Sequence, residues 1–475
     1  MQMVCYFLRA AMSHISISPL FSPILDPGFV PAVLWNRAYE AKAANAGRSV
    51  SLALSREDGT CFRWSGRLLP AESTYTADTI KYVDRLIKFL LWHKGGNRIA
   101  IAGADEVVTV LAETYGLDGA RKFDREFIGT KIFGSPISVT AVASAEMLPA
   151  EQGESMPLGR NLQGCRIGFD LGGSDRKCAA VIDGEVVFSE EIVWDPYFQN
   201  DPQYHIEGIH DSLLRAAAHL PRVDAIGGSS AGVIMNNQVR ASSLFRGVSA
   251  VDYETHVRHI FSTLRDERWK GVPFEVVNDG EVTALAGSMG LQANSVLGVA
   301  MGTSEAVGYV DAEGHIKPWL NELAFAPVDY RDNGPLDEWS GDRGCGALYF
   351  SQQAVARLAP AAGFDFGKMP FPEQLVEVQK AMKQGDERAE KIYQSIGVCF
   401  GYSIAHYADF YHIENLLILG RVTSGEGGEI IIREAEKVLA AEFPQLKIKL
   451  VVPDEKTKRH GQAVAAASLP FVGHL

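Results

Sequence analysis

The chain has 475 residues, 47% of them hydrophobic and 22% charged, with a net charge of −13. That length can bury cores for two or three domains, and the acidic balance argues against nucleic acid and anionic membranes as partners. The six cysteines (Cys5, Cys61, Cys165, Cys178, Cys345, Cys399) form no C-x-x-C pair, so neither a disulfide framework nor a zinc ribbon is expected, and a reducing cytoplasm fits. No apolar run reaches the ~18 residues of a membrane span. Met1 to Met12 carries Arg9 and no clear cleavage region, so no signal peptide is expected.

Residues 1–163 read as a first αβ region. Ser18 to Pro31 is rich in proline and loop-like. Tyr75 to Trp92 has helical spacing, with Val83, Leu86, Ile87 and Leu90 on one face. Asn97 to Gly103 reads as a buried strand, Asp105 to Tyr115 as a helix and Pro136 to Val142 as a strand. With 17 Lys and Arg against 16 Asp and Glu, this region is no basic DNA-binding arm, and it carries no recognisable chemistry. Glu151 to Arg160 reads as a linker.

From Gly164 the pattern sharpens. Arg166 to Leu171 reads as a strand, Gly172-Gly173 as a turn and Cys178 to Ile182 as a returning strand. Two glycines let backbone N–H groups approach a ligand closely, while Ser174 and Lys177 add a hydroxyl and a charge. A strand ending in Asp170 beside such donors can hold a phosphate and a metal. An ordinary Gly-Gly hairpin reads equally well at this point. Glu185 to Val193 is a third strand, and Ile206 to Ala217 a helix. Val223 to Gly228 is a buried strand running into Ser229 to Asn236. A helix follows around Val257, Ile260, Phe261 and Leu264. Phe274 to Val277 is a strand that feeds an alanine-rich helix, Glu281 to Gly287. Val296 to Ala300 closes on Met301-Gly-Thr-Ser-Glu305. Phe371 to Ile413 holds a long helical pair, Leu416 to Leu419 a strand ending at Gly420, Leu446 to Val452 a strand, and Gly461 to Ser468 a terminal helix. His256 and His259 share a helix face and read as solvated; Tyr402 to His412 reads as packing.

Two glycine turns after strands, one per half, can clamp a nucleoside triphosphate between two lobes. Phosphoryl transfer needs positioning, charge neutralisation and a base for the attacking hydroxyl. Asp279 follows the C-terminal end of a strand, where open α/β sheets place ligands, and is placed to be that base.

Asp170-Leu-Gly-Gly-Ser174, Val277-Asn-Asp-Gly280, Gly302-Thr303 and Leu417-Ile-Leu-Gly420 resemble the ROK group of sugar kinases. Lys380 to Ala389 and Gly401 to Tyr407 are similar to that family's long helical region. The resemblance covers roughly 164–468. It implies an α/β, two-lobed actin/hexokinase-like (ribonuclease H-like) fold: a first lobe over 164–290, a second over 291–475 with the terminal helix packed back on the first, and an extra N-terminal αβ region over 1–163. It implies ATP-dependent phosphorylation of a sugar or sugar-like polyol, with magnesium, in the cytoplasm. Asp170, Gly172, Gly173, Ser174 and Lys177 would frame the first phosphate site, with Asp170 at the metal. Gly302 and Thr303 would form the second, and Gly420 and Val422 would lie near the adenosine. Asn278 and Glu322 would hold sugar hydroxyls, and Asp279 would take the proton. Gly232 and Asn236 would belong to the sugar-side loop, although Asn236 reads equally well as a turn residue. A homodimer is expected, with no nucleic acid or membrane partner.

The sequence departs from the family in three places. The family's Glu-x-Gly-His becomes Glu322-Leu-Ala-Phe325, so the histidine is Phe325. The cysteine-rich zinc loop corresponds to Trp339 to Ala347, where only Cys345 remains, so no structural zinc is expected. The second turn carries Glu305, which would set a carboxylate near a triphosphate. With Phe325 and Ala347 read as substrate-facing, glucose is not the expected acceptor. The alternatives are a non-catalytic sugar-binding regulator and a degenerate kinase subunit on the same fold.

Overall fold

A computed structural model of the chain describes residues 15–153, 158–452 and 455–473. Met1 to Met12 and four residues of the expected linker (154–157) lie outside them.

The middle of the chain builds a five-stranded sheet. β5 (Cys165–Leu171), β6 (Asp175–Ile182) and β7 (Glu185–Val193) form an antiparallel meander, after four strands of the N-terminal region described below. Helix α4 (Pro202–Ala217) leads back to β8 (Ala225–Ser230), which pairs parallel with β5. Asp201 starts α4 by accepting from the Gln203 N–H, and Pro202 takes the first turn, where no backbone donor is needed. A small hairpin, β9 (Val233–Met235) and β10 (Gln238–Ala241), precedes β11 (Phe274–Asn278), parallel to β8. The sheet order is β11-β8-β5-β6-β7. The helix expected around Val257 is broken into wide turns at Tyr253–Val257 and Leu264–Arg268, though Val257, Ile260, Phe261 and Leu264 are all buried as their spacing predicts.

Helix α5 (Asp279–Leu291) links this sheet to a second one. β12 (Val296–Met301) and β13 (Glu305–Val310) are antiparallel, and β14 (Asn415–Leu419) and β15 (Lys449–Val451) add parallel strands in the order β13-β12-β14-β15. The plan of the first lobe recurs without its third strand, where a single bridge, Val310 to Ile316, remains. Helices α6 (Gln352–Ala362), α7 (Phe371–Lys383), α8 (Glu387–Tyr407) and α9 (Glu426–Glu442) cover this lobe. Tyr402, His406, Tyr407 and Tyr411 are buried. The terminal helix, α10 (Glu455–Ala467), returns to the first sheet. It lies so close to β5 and β8 that a Cβ at Gly168 or Gly227 would collide with the carbonyls of Ala463 or Ala466.

The N-terminal region has its own sheet. Helix α1 (Ala32–Ala46) precedes the hairpin of β1 (Arg48–Ser55) and β2 (Cys61–Leu68). Helix α2 (Thr76–His93), β3 (Arg98–Ala102), α3 (Asp105–Thr114) and β4 (Ser138–Val142) complete the order β2-β1-β3-β4. Its core is continuous with that of the second lobe: Trp35, Tyr39, Tyr82 and Phe89 share one apolar cluster with Tyr330, Tyr402 and Tyr407. Two further links bear on function. The last carbonyls of α2, at Trp92 and His93, accept from the N–H groups of Glu322 (2.9 Å) and Asn321 (3.0 Å). Lys88 and Arg85 of α2, with Arg121, grip Asp342 at 3.0, 2.8 and 2.6 Å.

Candidate active site

Asp170, at the end of the strand before the first glycine turn, lies within electrostatic reach of Asp279 at the start of α5, and the second and third turns abut each other. At the first turn, the Gly172 N–H donates to the Asp175 carbonyl at 2.9 Å, and Trp194 Nε1 donates to the Gly172 carbonyl at 2.8 Å. Among the described residues, the N–H groups of Gly173 and Ser174 have no backbone partner, which leaves them for an anion. A Cβ on Gly173 would collide with the Tyr197 hydroxyl. We therefore expect Gly173→Ala to weaken nucleotide binding at least tenfold at unchanged sugar binding, read by titration calorimetry. Lys177 Nζ lies 3.2 Å from Asp175 Oδ1 and 3.7 Å from Asp170 Oδ2. Ser229, at the end of β8, donates to Asp170 Oδ1 at 2.5 Å. Burial raises the Asp170 pKa against the pull of Ser229 and Lys177. Asp170 also lines a cavity of about 390 Å³ together with Lys177 and Gln462.

The second turn joins β12 to β13. The Gly302 N–H donates to the Ser304 carbonyl, and the Thr303 N–H has no backbone partner among the described residues. Gly420 (φ 99°) fits against the Met301 backbone, where a side chain would clash, so the third turn abuts the second. Val422, expected near the adenosine, has its side chain wholly buried in the core of the second lobe. Glu305 corrects its expectation. Strand alternation turns its neighbour Ala306 to the cleft and Glu305 to the core, where Tyr407 donates to Oε1 at 3.0 Å. Burial pushes Glu305 up to about 8, so at neutral pH it sets no carboxylate charge beside a triphosphate.

Asp279 begins α5. Its side chain is exposed and lines a hollow shared with Thr283, Ala300, Ala306 and Leu419. Crowding by the surrounding protein, then the charge of Asp170 beside it, raises Asp279 to about 6. Asn278 caps the helix: its Oδ1 accepts from the Gly280 N–H at 2.7 Å, and its Nδ2 donates to the Gly232 carbonyl at 2.8 Å. One Nδ2 proton remains for a ligand. Gly232 (φ 111°) fits a corner where a Cβ would strike Ala241 and Ser242. Asn236 is left-handed (φ 51°), as a turn residue, and also lines a cavity of about 460 Å³ together with Asn278 and Glu322. Burial, then the Asp279 charge, raises Glu322 to about 7.

This cavity holds what the sequence did not reveal. Asp58, Thr60 and Gln152 of the N-terminal region line it, with Glu275, Glu281, Lys317 and Trp319. No motif marks Asp58 or Gln152. Ser229 could have been found, because it follows a buried strand at its C-terminal end.

Phe325 and Ala347, read from sequence as substrate-facing, are not among the residues around this cavity. Phe325 packs on Trp92 (4.5 Å between rings) and Phe123 (5.4 Å), and Ala347 is buried. Asp342 sits in the cluster with Lys88, Arg85 and Arg121, and Arg343 donates to the Gly334 carbonyl. Among the described residues no three His, Cys, Asp or Glu converge as metal ligands. We expect elemental analysis of the purified protein to find no zinc; about one zinc per chain would contradict this.

No family model and no curated protein matches the chain. Solved structures do. A ROK hexokinase from Thermus thermophilus is 18% identical, with a TM-score of 0.50 over 64% of this chain and 97% of that one. A ROK-family transcriptional regulator, a homologue of the E. coli MLC protein, is 19% identical, with a TM-score of 0.50 over 65% and 79%. A ROK-family glucokinase from Streptomyces griseus, in complex with glucose and AMPPNP, is 18% identical, with a TM-score of 0.47 over 64% and 99%. The chain thus has the two-lobed, actin/hexokinase-like fold of ROK proteins, the class its motifs resemble. Among the described residues no helix is long and apolar enough to cross a membrane.

Proposed function

We propose that this chain is an ATP-dependent kinase of a sugar or sugar-like polyol, acting in the cytoplasm. The observation that carries the reading is Asp279: a carboxylate at a helix start, on a hollow shared with the strands of the second and third glycine turns, next in sequence to Asn278 on the acceptor-sized cavity, and raised to about 6. Such a group is ionised at neutral pH yet basic enough to take a proton as the hydroxyl attacks. Glu322 and the free Nδ2 proton of Asn278 would orient the acceptor. The unpaired N–H groups of Gly173, Ser174 and Thr303 would hold phosphate oxygens from two sides.

Magnesium fits this site. Asp170 has one oxygen fixed by Ser229 and the other 3.7 Å from Lys177 Nζ, beyond hydrogen-bond distance, and its pKa is already raised by burial. Magnesium is commonly held by one or two carboxylates plus substrate phosphates. Bound there with ATP, it would neutralise charge on the phosphates.

The regulator reading keeps the cavity and drops the chemistry. Nothing in the geometry favours it over catalysis, because Glu305, the residue that suggested a damaged phosphate site, faces the core. The distinguishing experiment is sugar-dependent ADP release from ATP and magnesium across a panel of sugars and polyols. A sugar that binds without any ADP release would favour the regulator.

A further inference from the structure

The acceptor cavity is unevenly charged. Four acidic side chains line it, Asp58, Glu275, Glu281 and Glu322, against one ammonium, Lys317. Burial raises Glu281 to about 8 and Glu322 to about 7, so Asp58, Glu275 and a part of Glu322 carry the charge at neutral pH. Lys317 is already paired with Asp311 at 2.7 Å. Lys94, over the Trp319 ring, opens onto a neighbouring cavity instead.

The four carboxylates are not equally available. Glu281 is committed: the Tyr309 N–H and Asn321 Nδ2 bind its two oxygens at 3.0 and 2.5 Å. Asp58 accepts from the Thr60 N–H at 2.9 Å and lies in the field of Arg240. Glu275 accepts from Asn237 Nδ2 at one oxygen only, 2.9 Å, and Arg265, whose field reaches it, is paired with Asp266. The Glu322 side chain, unlike its backbone, has no hydrogen bond or ion pair to the described residues. A neutral sugar entering here strips water from Glu275 and Glu322 and brings no countercharge, which is costly. An ammonium would instead form charge-assisted hydrogen bonds.

We propose that the acceptor carries an amine: an amino sugar or aminated polyol whose ammonium group is held by Glu275 and Glu322. This rests on the reading of the cavity as the acceptor site. It specifies the substrate class through residues outside the glycine-turn motifs, one of which, Glu275, sits mid-strand on β11.

The test is binding, measured apart from turnover. Calorimetry on the full chain, without nucleotide, would compare 2-, 3- and 6-amino-deoxyglucose with their N-acetyl forms, which keep the ring and lose the charge. At least one amine should bind tenfold or more tightly than its N-acetyl partner. Glu275→Gln, which keeps shape and an acceptor oxygen for Asn237, should cut that ratio about tenfold. If no amine outbinds its N-acetyl partner, the inference is wrong whether or not the variant folds. An unchanged ratio in Glu275→Gln overturns it as well. ADP release is scored separately. Glu275-dependent amine binding without ADP release supports the inference and contradicts the kinase reading. Phosphorylation of neutral sugars with no amine preference does the opposite.

Discussion

Replacing Asp279 with Asn should lower turnover about 10²- to 10⁴-fold while leaving the fold and sugar binding in place, because a positioned general base contributes a factor of that order. The substitution keeps the volume and still offers an oxygen to the Gly280 N–H, which donates to Asp279 Oδ1 at 3.0 Å. The helix start is unharmed, because Asn278 caps it independently. Asp279 also predicts a pH profile. The base must be ionised, and crowding by the surrounding protein and Asp170 place its pKa at about 6. Activity should therefore fall as pH drops through about 6 and be level above it, and the limb should vanish from the residual activity of Asp279→Asn. Near-wild-type turnover in that variant would move the base elsewhere.

The second large effect is on stability. Asp342 lies among Lys88, Arg85 and Arg121, and its partners Lys88 and Arg121 are almost wholly buried. Burial alone would raise its pKa; the three cations outweigh it and hold the carboxyl well below the usual range. Removing one member of such a cluster strands the others and typically costs about 3–5 kcal/mol. Asp342→Ala should destabilise the protein by that order in denaturant titration. Breaking the exposed Arg215–Glu190 pair with Glu190→Gln should cost far less, because water screens it. The contribution of Asp342 is present above its unfolded pKa, near 3.8, and is lost as pH falls below that value toward the depressed folded one. A cost from Asp342→Ala no larger than that from Glu190→Gln would show that the cluster does not tie the N-terminal region to the second lobe.

Most of the two-lobed fold was legible because its strands are strongly patterned and its glycine turns are dictated by backbone approach. Gly173 and Gly420 sit where a side chain would clash, and such positions speak in the sequence. Asn278 and Asp279 were legible for a related reason, since a helix start after a buried strand is both a capping site and a ligand site. Residues 1–163 were harder to read. Their strand β3 and helix α2 could be foreseen, but α1 is alanine-rich with little apolar periodicity, and the β1–β2 hairpin turns at Asp58-Gly59, a signal that could have been used. What that region does was not readable at all. Lys88 in an apolar helix face gives no hint of Asp342, 254 residues later, and Phe325 reads as a lost ligand until Trp92 is seen against it. The region's grip on Asn321 and Glu322 runs through the backbone carbonyls of His93 and Trp92, which no side-chain pattern encodes. Glu305 was misplaced because one residue of strand register exchanges cleft for core.

The most direct test of the central claim is ADP release by the full-length protein, with ATP and magnesium, against a panel of neutral and aminated sugars and polyols. Phosphorus NMR would identify the product. We predict acceptor-dependent ADP formation with a phosphate ester on one hydroxyl, suppressed at least 10²-fold in Asp279→Asn. Sugar binding with no acceptor-dependent ADP formation, in wild type and variant alike, would contradict it.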